Sequence, residues 1–90
     1  MAILKPEGNI LAAVSRSMRE KLDLMLSAGD YDLQIDMSNV ELMDSTGIGV
    51  LVAVHNRLAQ KSGALKLINT PDKIRRMLQL MNLDRRFTII

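Results

Sequence analysis

Short strand-like segments alternate with helix-like segments along this chain of 90 residues, and the alternation limits the folds it can adopt. Apolar residues alternate or run together in the strand-like segments, whereas they recur every three or four residues in the helix-like ones. Gly29 and Gly63 are expected to end the first two helices, and Thr70 to cap the third, which Pro71 opens. Strands are predicted at 1–5, 31–37, 64–69 and 87–90, with 9–12 as a candidate continuation of the first, and helices at about 15–28, 45–62 and 71–81.

Alternating strands and helices predict an α/β domain with a small, mostly parallel sheet and about three helices packed on it. Residues 1–90 contain no visible linker or internal repeat, so we expect them to form one domain. Right-handed crossovers place the start of the central helix at the carboxyl edge of strand 31–37. Binding sites in sheets of this kind favour that edge. The segment 36–49 is therefore where a site is expected.

Composition argues against several classes of function. The chain has no cysteine, which excludes a disulfide framework, a thiolate metal site and a thiol nucleophile. No apolar run approaches the roughly 18 residues that a membrane-spanning helix needs, and the residues before Pro6 do not form a signal-peptide pattern. With Tyr31 and Phe87 but no tryptophan, the chain lacks stacking platforms for single-stranded nucleic acid. We therefore expect a cytoplasmic protein that binds neither membranes nor nucleic acid.

Charge is distributed unevenly along the chain, although the net charge is only +2. Residues 30–56 contain five carboxylates and no Lys or Arg, whereas residues 57–90 contain eight basic side chains and two acidic ones. One interpretation is a solvated surface that happens to be dipolar. The other is an acidic docking face that prefers a basic partner. The sequence leaves both open.

Ser45 is the candidate regulatory residue. It follows Asp44 where the central helix is predicted to begin, and either residue could cap that helix. A phosphate on Ser45 would face unpaired backbone N–H groups and the positive end of the helix dipole. It would also add roughly −1.5 to −2 charges beside Asp36, Glu41 and Asp44. Modification could thus change docking while sparing the fold; the alternative is an unmodified serine that only caps a helix.

Catalytic and metal sites fit the sequence poorly. His55, the one histidine, lies ten residues or ~15 Å of helix rise beyond Ser45, so it cannot act as a general base for that hydroxyl. Asp36 and Asp44 could together hold a magnesium ion, but their spacing is not specific for one. We expect no enzyme activity, no cofactor and no metal ion.

The glycines of the central helix have two possible roles. Gly47 and Gly49 do not form a dinucleotide-binding fingerprint, because position 52 is a valine where the third glycine would fall. They permit either close approach to a neighbouring backbone or access for a partner. The sequence does not separate these roles.

Two segments of the chain match a known family. Residues 33–38 (Leu-Gln-Ile-Asp-Met-Ser) and 43–51 (Met-Asp-Ser-Thr-Gly-Ile-Gly-Val-Leu) resemble the STAS domains, and among them the small bacterial anti-sigma factor antagonists. Residues 65–68, 74–78 and 83–87 match later parts of the family pattern more weakly. The chain departs from the pattern at Leu11, where family members often carry an aspartate near the modified serine. Family members usually have another strand before the segment 3–11, so the N-terminal strand is expected to be shortened.

The resemblance implies a partner-switching cycle. The unphosphorylated protein binds a serine-kinase anti-sigma factor, phosphorylation of Ser45 by that kinase ends the complex, and a PP2C-type phosphatase restores it. An exposed sheet edge would make the chain a monomer or weak homodimer. The family also offers an alternative, an unphosphorylated adaptor subunit of a larger complex such as a lipid-transport or stress-signalling assembly. The partner-binding residues are expected to be Asn39, Met43, Asp44, Ser45, Thr46, Gly47 and Gly49.

Overall fold

The computed structural model of the protein describes residues 2–90, which form a four-stranded sheet, three α-helices and a short 3-10 helix. Met1, the first residue of the strand predicted at 1–5, lies outside the described residues. The predicted α/β class is confirmed. The strands are β1 (Ala2–Leu4), β2 (Asp32–Asp36), β3 (Ala64–Ile68) and β4 (Thr88–Ile89). The helices are α1 (Ala12–Ser27), α2 (Ser45–Gln60) and α3 (Asp72–Leu80), and the 3-10 helix spans Leu83–Arg85.

All neighbouring strands are parallel, and they lie side by side in chain order. Right-handed crossovers between successive strands then put all three helices on the same face of the sheet. Side chains alternate accordingly: Leu33 and Ile35 of β2 are buried, whereas Gln34 between them is only half-buried. β3 repeats the pattern, with Leu65 and Leu67 buried. The sheet and the helices therefore share one apolar layer.

The core lies between the sheet and the helices. In the apolar stretch 48–54, α2 buries Ile48, Val50, Leu51 and Val54. Leu51 and Leu58 of this helix are fully buried. α1 and α3 each bury a narrower row of side chains against the sheet. Leu22 of α1 and Leu78 of α3 are fully buried. Within residues 2–90, none of the helices is both long and apolar enough to cross a membrane.

Helix α1 begins three residues before its predicted start, at Ala12. The predicted continuation of the first strand at 9–12 is reduced to a single parallel bridge between Ile10 and Met43. The helix can begin this early because the carboxylate of Asp44, distant in sequence, accepts a hydrogen bond from the Ala12 N–H. Its predicted end is confirmed, since Gly29 adopts a φ of 89° just after it.

The prediction that Gly63 ends α2 is wrong, since the helix ends at Gln60. Ser62, with a φ of 58°, takes the left-handed conformation that follows this helix. Gly63 has a different role, because a Cβ at this position would lie 2.0 Å from the carbonyl oxygen of Tyr31. Close packing against the segment before β2 therefore requires the glycine.

The predicted cap of α3 is also wrong. Pro71 is the N-cap, and the helix has no side-chain capping hydrogen bond. Thr70 is instead buried, and its backbone N–H donates to the carbonyl oxygen of Ile90 at 2.9 Å. The contact with the segment after β4 thus determines the orientation of Thr70.

Candidate protein-docking site at the start of helix α2

Two loops meet where helices α1 and α2 begin. The Ile10 N–H donates to the Leu42 carbonyl oxygen at 3.0 Å, and the Ile10 carbonyl oxygen accepts from the Asp44 N–H at 3.3 Å. The side-chain oxygen of Asn9 accepts from the N–H groups of Glu41 and Leu42, each at 2.9 Å. These bonds tie the loop before α1 to the loop before α2. The two helix N-termini consequently lie side by side at the carboxyl edge of the sheet.

Asp44 caps both helices with one carboxylate. One oxygen accepts from the N–H of Gly47 at 2.9 Å, and the other accepts from the N–H of Ala12 at 2.8 Å. The sequence left the cap of α2 open between Asp44 and Ser45, and in the structure it is Asp44. The hydrogen bond from Gly47 is the main reason that the pKa of Asp44 is held below its ordinary value, against an opposing effect of desolvation.

Replacing Asp44 with alanine is expected to lower the Tm at neutral pH by about 4–8 °C, because two helix N-termini lose their cap. The carboxylate has a lower pKa in the folded than in the unfolded state, so it stabilises the fold above the ordinary value of 3.8. That stabilisation is lost as the pH falls through the folded-state pKa. The Tm difference between wild type and variant should therefore shrink below pH 3.8, as followed by circular dichroism.

The matched control is Glu41→Ala, which removes an exposed carboxylate from the same loop. Its Tm at neutral pH should stay close to that of the wild type. An equal loss in both variants, or a loss for Asp44→Ala that does not change with pH, would contradict the double cap.

Ser45 is exposed at the first position of α2. Because Asp44 takes the capping role, the hydroxyl of Ser45 is not needed to hold the helix. Thr46 beside it is also exposed. A phosphate on Ser45 would reach first-turn N–H groups and would stand next to the carboxylate of Asp44.

Gly47 and Gly49 lie two residues apart in α2 but have different surroundings. Gly47 is buried, and a Cβ there would lie 2.3 Å from the carbonyl oxygen of Ile10. Gly49 is exposed, with no atom within 4 Å of the place that a Cβ would take. The structure thus gives the two glycines different surroundings. Gly47 permits close packing of α2 on the loop before α1, and Gly49 leaves space at the surface.

The structure gathers the predicted partner-binding residues at one edge but exposes only some of them. Met43 is buried, with 8% of its surface exposed, and Gly47 is buried as well. These two residues support the backbone beneath the surface. Asp44 is half-exposed, and the fully exposed members of the set are Asn39, Ser45, Thr46 and Gly49.

Sequence reasoning missed Asn9, Val14 and Leu42 at this site, and it named Leu11 only as a departure from the family pattern. Asn9 holds the two loops together, and Leu11, Val14 and Leu42 expose 37%, 44% and 46% of their surfaces beside it. A sequence signal was available for Leu11, because a position just before a helix favours Ser, Thr, Asp or Asn. The exposure of Val14 and Leu42 depends on how the loops pair.

Asp36, weighed above as a magnesium ligand, and His55, weighed as a general base, make contacts within the fold. The carboxylate of Asp36 accepts from the Ser38 N–H at 3.0 Å, and this bond is the main reason that the pKa of Asp36 is lowered. Among residues 2–90, no three His, Cys, Asp or Glu side chains cluster as metal ligands would.

His55 is half-buried, and its ring meets the ring of Phe87 edge-on at a centroid distance of 5.7 Å.

Fold and site together define a small α/β domain, in which a helix-backed parallel sheet presents paired loops and a serine at a helix N-terminus. A family model described as Mlab, STAS domain matches residues 2–90. The chain belongs to the STAS domain family.

Similar proteins include regulators of sigma factors. The anti-sigma-B factor antagonist of Listeria monocytogenes is 32% identical over 77 residues, which cover 86% of this chain and 68% of that protein. The crystal structure of a candidate anti-sigma factor antagonist from Thermotoga maritima matches with a TM-score of 0.91 at 28% identity, covering 97% of this chain and 75% of that chain. The antagonist SpoIIAA in its unphosphorylated form shares the fold, with a TM-score of 0.74 at 19% identity over 87% of this chain and 72% of that chain. The Bacillus cell fate determinant SpoIIAA has also been solved, in its phosphorylated form.

Proposed function

We propose that this chain is an anti-sigma factor antagonist that acts by partner switching in the cytoplasm. The unphosphorylated form binds a serine-kinase anti-sigma factor, phosphorylation of Ser45 abolishes binding, and a PP2C-type phosphatase reverses the modification. The chain itself is a non-catalytic monomer or weak homodimer that needs no cofactor. The docking surface is built on Asn39, Met43, Asp44, Ser45, Thr46, Gly47 and Gly49.

The observation that carries this proposal is the division of roles between Asp44 and Ser45. Asp44 caps α2, so the exposed Ser45 beside it is available for modification. A dianion on Ser45 would have to be desolvated when a partner covers it, and it would lie near the acidic side chains of Glu41 and Asp44. An interface that accepts the uncharged hydroxyl should therefore reject the phosphate.

Phosphorylation is tested by incubating the purified chain with the serine-kinase anti-sigma factors of its host, one at a time, in the presence of ATP. We expect one of them to raise the mass of the peptide that contains Ser45 by about 80 Da, the mass of one phosphate group. Incubation with a PP2C-type phosphatase should return the peptide to its original mass.

The control for this experiment is Ser45→Ala, which should retain its original mass throughout. Because Thr46 is also an exposed hydroxyl, fragment spectra should locate the phosphate. An unshifted wild-type chain, or a shift that persists in Ser45→Ala, would contradict phosphorylation of Ser45.

A second candidate function is a constitutive adaptor that docks through the same edge without modification. Its specific support is the apolar surface that Leu11, Val14 and Leu42 expose beside Ser45, because apolar contacts do not depend on a phosphate. An adaptor would remain unmodified by the kinase. It would also bind its partner equally well with or without a charge at residue 45.

A further inference from the structure

A cleft of about 400 Å³, which we call the α1 cleft, lies between helix α1 and the chain that leads into it. One wall consists of residues 4–10, from the end of β1 to the residue before the N-cap of α1. The other wall is one face of the helix, whose members recur every three or four residues: Val14, Ser17, Met18 and Lys21. Pockets for small molecules have volumes of roughly 300–1,000 Å³, so the α1 cleft is large enough for one.

Apolar atoms form more than half of the surface inside the α1 cleft. Two of its lining residues, Ile10 and Met18, belong to the buried core. Val14 lies on the same face of α1 as Met18, yet it exposes 44% of its surface. Because the loop before α1 does not close over Val14, the cleft offers this apolar surface to a ligand.

Cations outnumber carboxylates at the α1 cleft, since Lys5 and Lys21 line it together with Glu7. Among residues 2–90, neither lysine forms an ion pair with a carboxylate. The Ser38 N–H is the main cause of the lowered pKa of Asp36, and the charge of Lys5 adds to it. Lys5 therefore already faces one carboxylate at longer range, which leaves Lys21 as the better partner for an added anion.

We propose that the α1 cleft binds a small aliphatic carboxylate, with its tail against Val14 and Met18 and its head group beside Lys21. Small-molecule sites are concave and mainly apolar, and they carry a few polar groups that fix the orientation of the ligand. The α1 cleft has these properties. Removal of the tail from water supplies most of the affinity, and the ion pair at an exposed lysine adds a smaller part.

The proposed ligand site is separate from Ser45 but adjoins the same loops. Asn9 lines the α1 cleft, and its side-chain oxygen accepts from the N–H groups of Glu41 and Leu42 in the loop before α2. A ligand that contacts Asn9 would thus touch a residue that holds the docking edge together. The inference goes beyond the proposed function and does not depend on phosphorylation of Ser45.

The probe for this site is octanoate, titrated into the isotope-labelled chain and followed by nuclear magnetic resonance. We expect saturable shifts of the backbone amide signals of Ser17 and Lys21, with a Kd of about 1 mM or tighter. Absence of saturable shifts at these amides would overturn the proposal.

Three variants separate the contribution of the tail from that of the charge. Ser17→Phe places a ring in the α1 cleft from an exposed helix position and should weaken octanoate binding by about tenfold or more. Lys21→Gln should weaken it by about threefold, as expected for an exposed ion pair. Lys73→Gln makes the same change at an exposed position of α3, outside the cleft, and should leave the affinity unchanged.

Octan-1-ol, which has the same tail and no charge, serves as the second probe. Its affinity should be the same in Lys21→Gln as in the wild type. Thermal unfolding verifies that each variant is folded. Wild-type affinity for octanoate in a folded Ser17→Phe would overturn the site, and equal losses in Lys21→Gln and Lys73→Gln would overturn the role of Lys21.

Discussion

Replacement of Gly47 by alanine is expected to destabilise the protein by about 3 kcal/mol or more. The added Cβ would lie 2.3 Å from the carbonyl oxygen and 2.8 Å from a side-chain carbon of Ile10. Relief of this overlap requires a shift of the backbone, because Ile10 is hydrogen-bonded to the loop before α2 on both its N–H and its carbonyl sides. The measurement is the free energy of unfolding from a urea titration.

Gly49→Ala is the matched control, two residues further along the same helix. Its new methyl group would meet no atom within 4 Å, and alanine is the better helix former. We expect this variant to be more stable than the wild type by about 0.5–1 kcal/mol. A similar effect of both substitutions, in either direction, would contradict the packing of α2 against Ile10.

A negative charge at residue 45 is expected to weaken binding to the anti-sigma factor by about 100-fold or more. Ser45→Asp would bring a carboxylate into an interface that already contains Asp44, and both charges would lose solvent when the partner docks. Ser45→Ala should bind as the wild type does, because the hydroxyl is not the helix cap. Affinities from titration calorimetry measure both effects.

The control for charge alone is Ser27→Asp, at the last position of α1 and thus at the opposite edge of the sheet. It should leave affinity within about twofold of the wild type, which corresponds to less than about 0.5 kcal/mol. Equal binding by the aspartate and alanine variants of Ser45 would contradict the switch and favour the constitutive adaptor. Loss of binding in Ser27→Asp would point instead to a general effect of net charge.

Periodic segments of the chain were predicted well because their signal is local. The alternation of Leu33 and Ile35 with polar residues indicated a strand with one buried face, and the structure confirms it. Gly29 was predicted as a helix stop because left-handed backbone costs glycine little, and its φ is 89°. The early start of α1 at Ala12 was not predictable in the same way, since its capping acceptor belongs to Asp44, 32 residues away.

Sequence reasoning placed the candidate site at the start of α2, but it did not give the arrangement of the residues there. The predicted order of elements put Ser45 at the start of the central helix, and the structure has it there. The sequence left open which residue caps α2, and it did not distinguish Gly47 from Gly49. The hydrogen bond from the Gly47 N–H to the Asp44 carboxylate identifies the cap, and the close approach of Ile10 to Gly47 separates the two glycines.

The sequence by itself determined the type and order of the elements and the face that each one buries, because hydrophobic period and turn residues act over a few positions. Only the tertiary structure decided that Asp44 serves two helices, that Gly47 packs against Ile10 while Gly49 has open space, and that Leu11 is exposed. These features depend on hydrogen bonds and packing between segments some 32 residues apart. Local sequence patterns do not reveal such pairings.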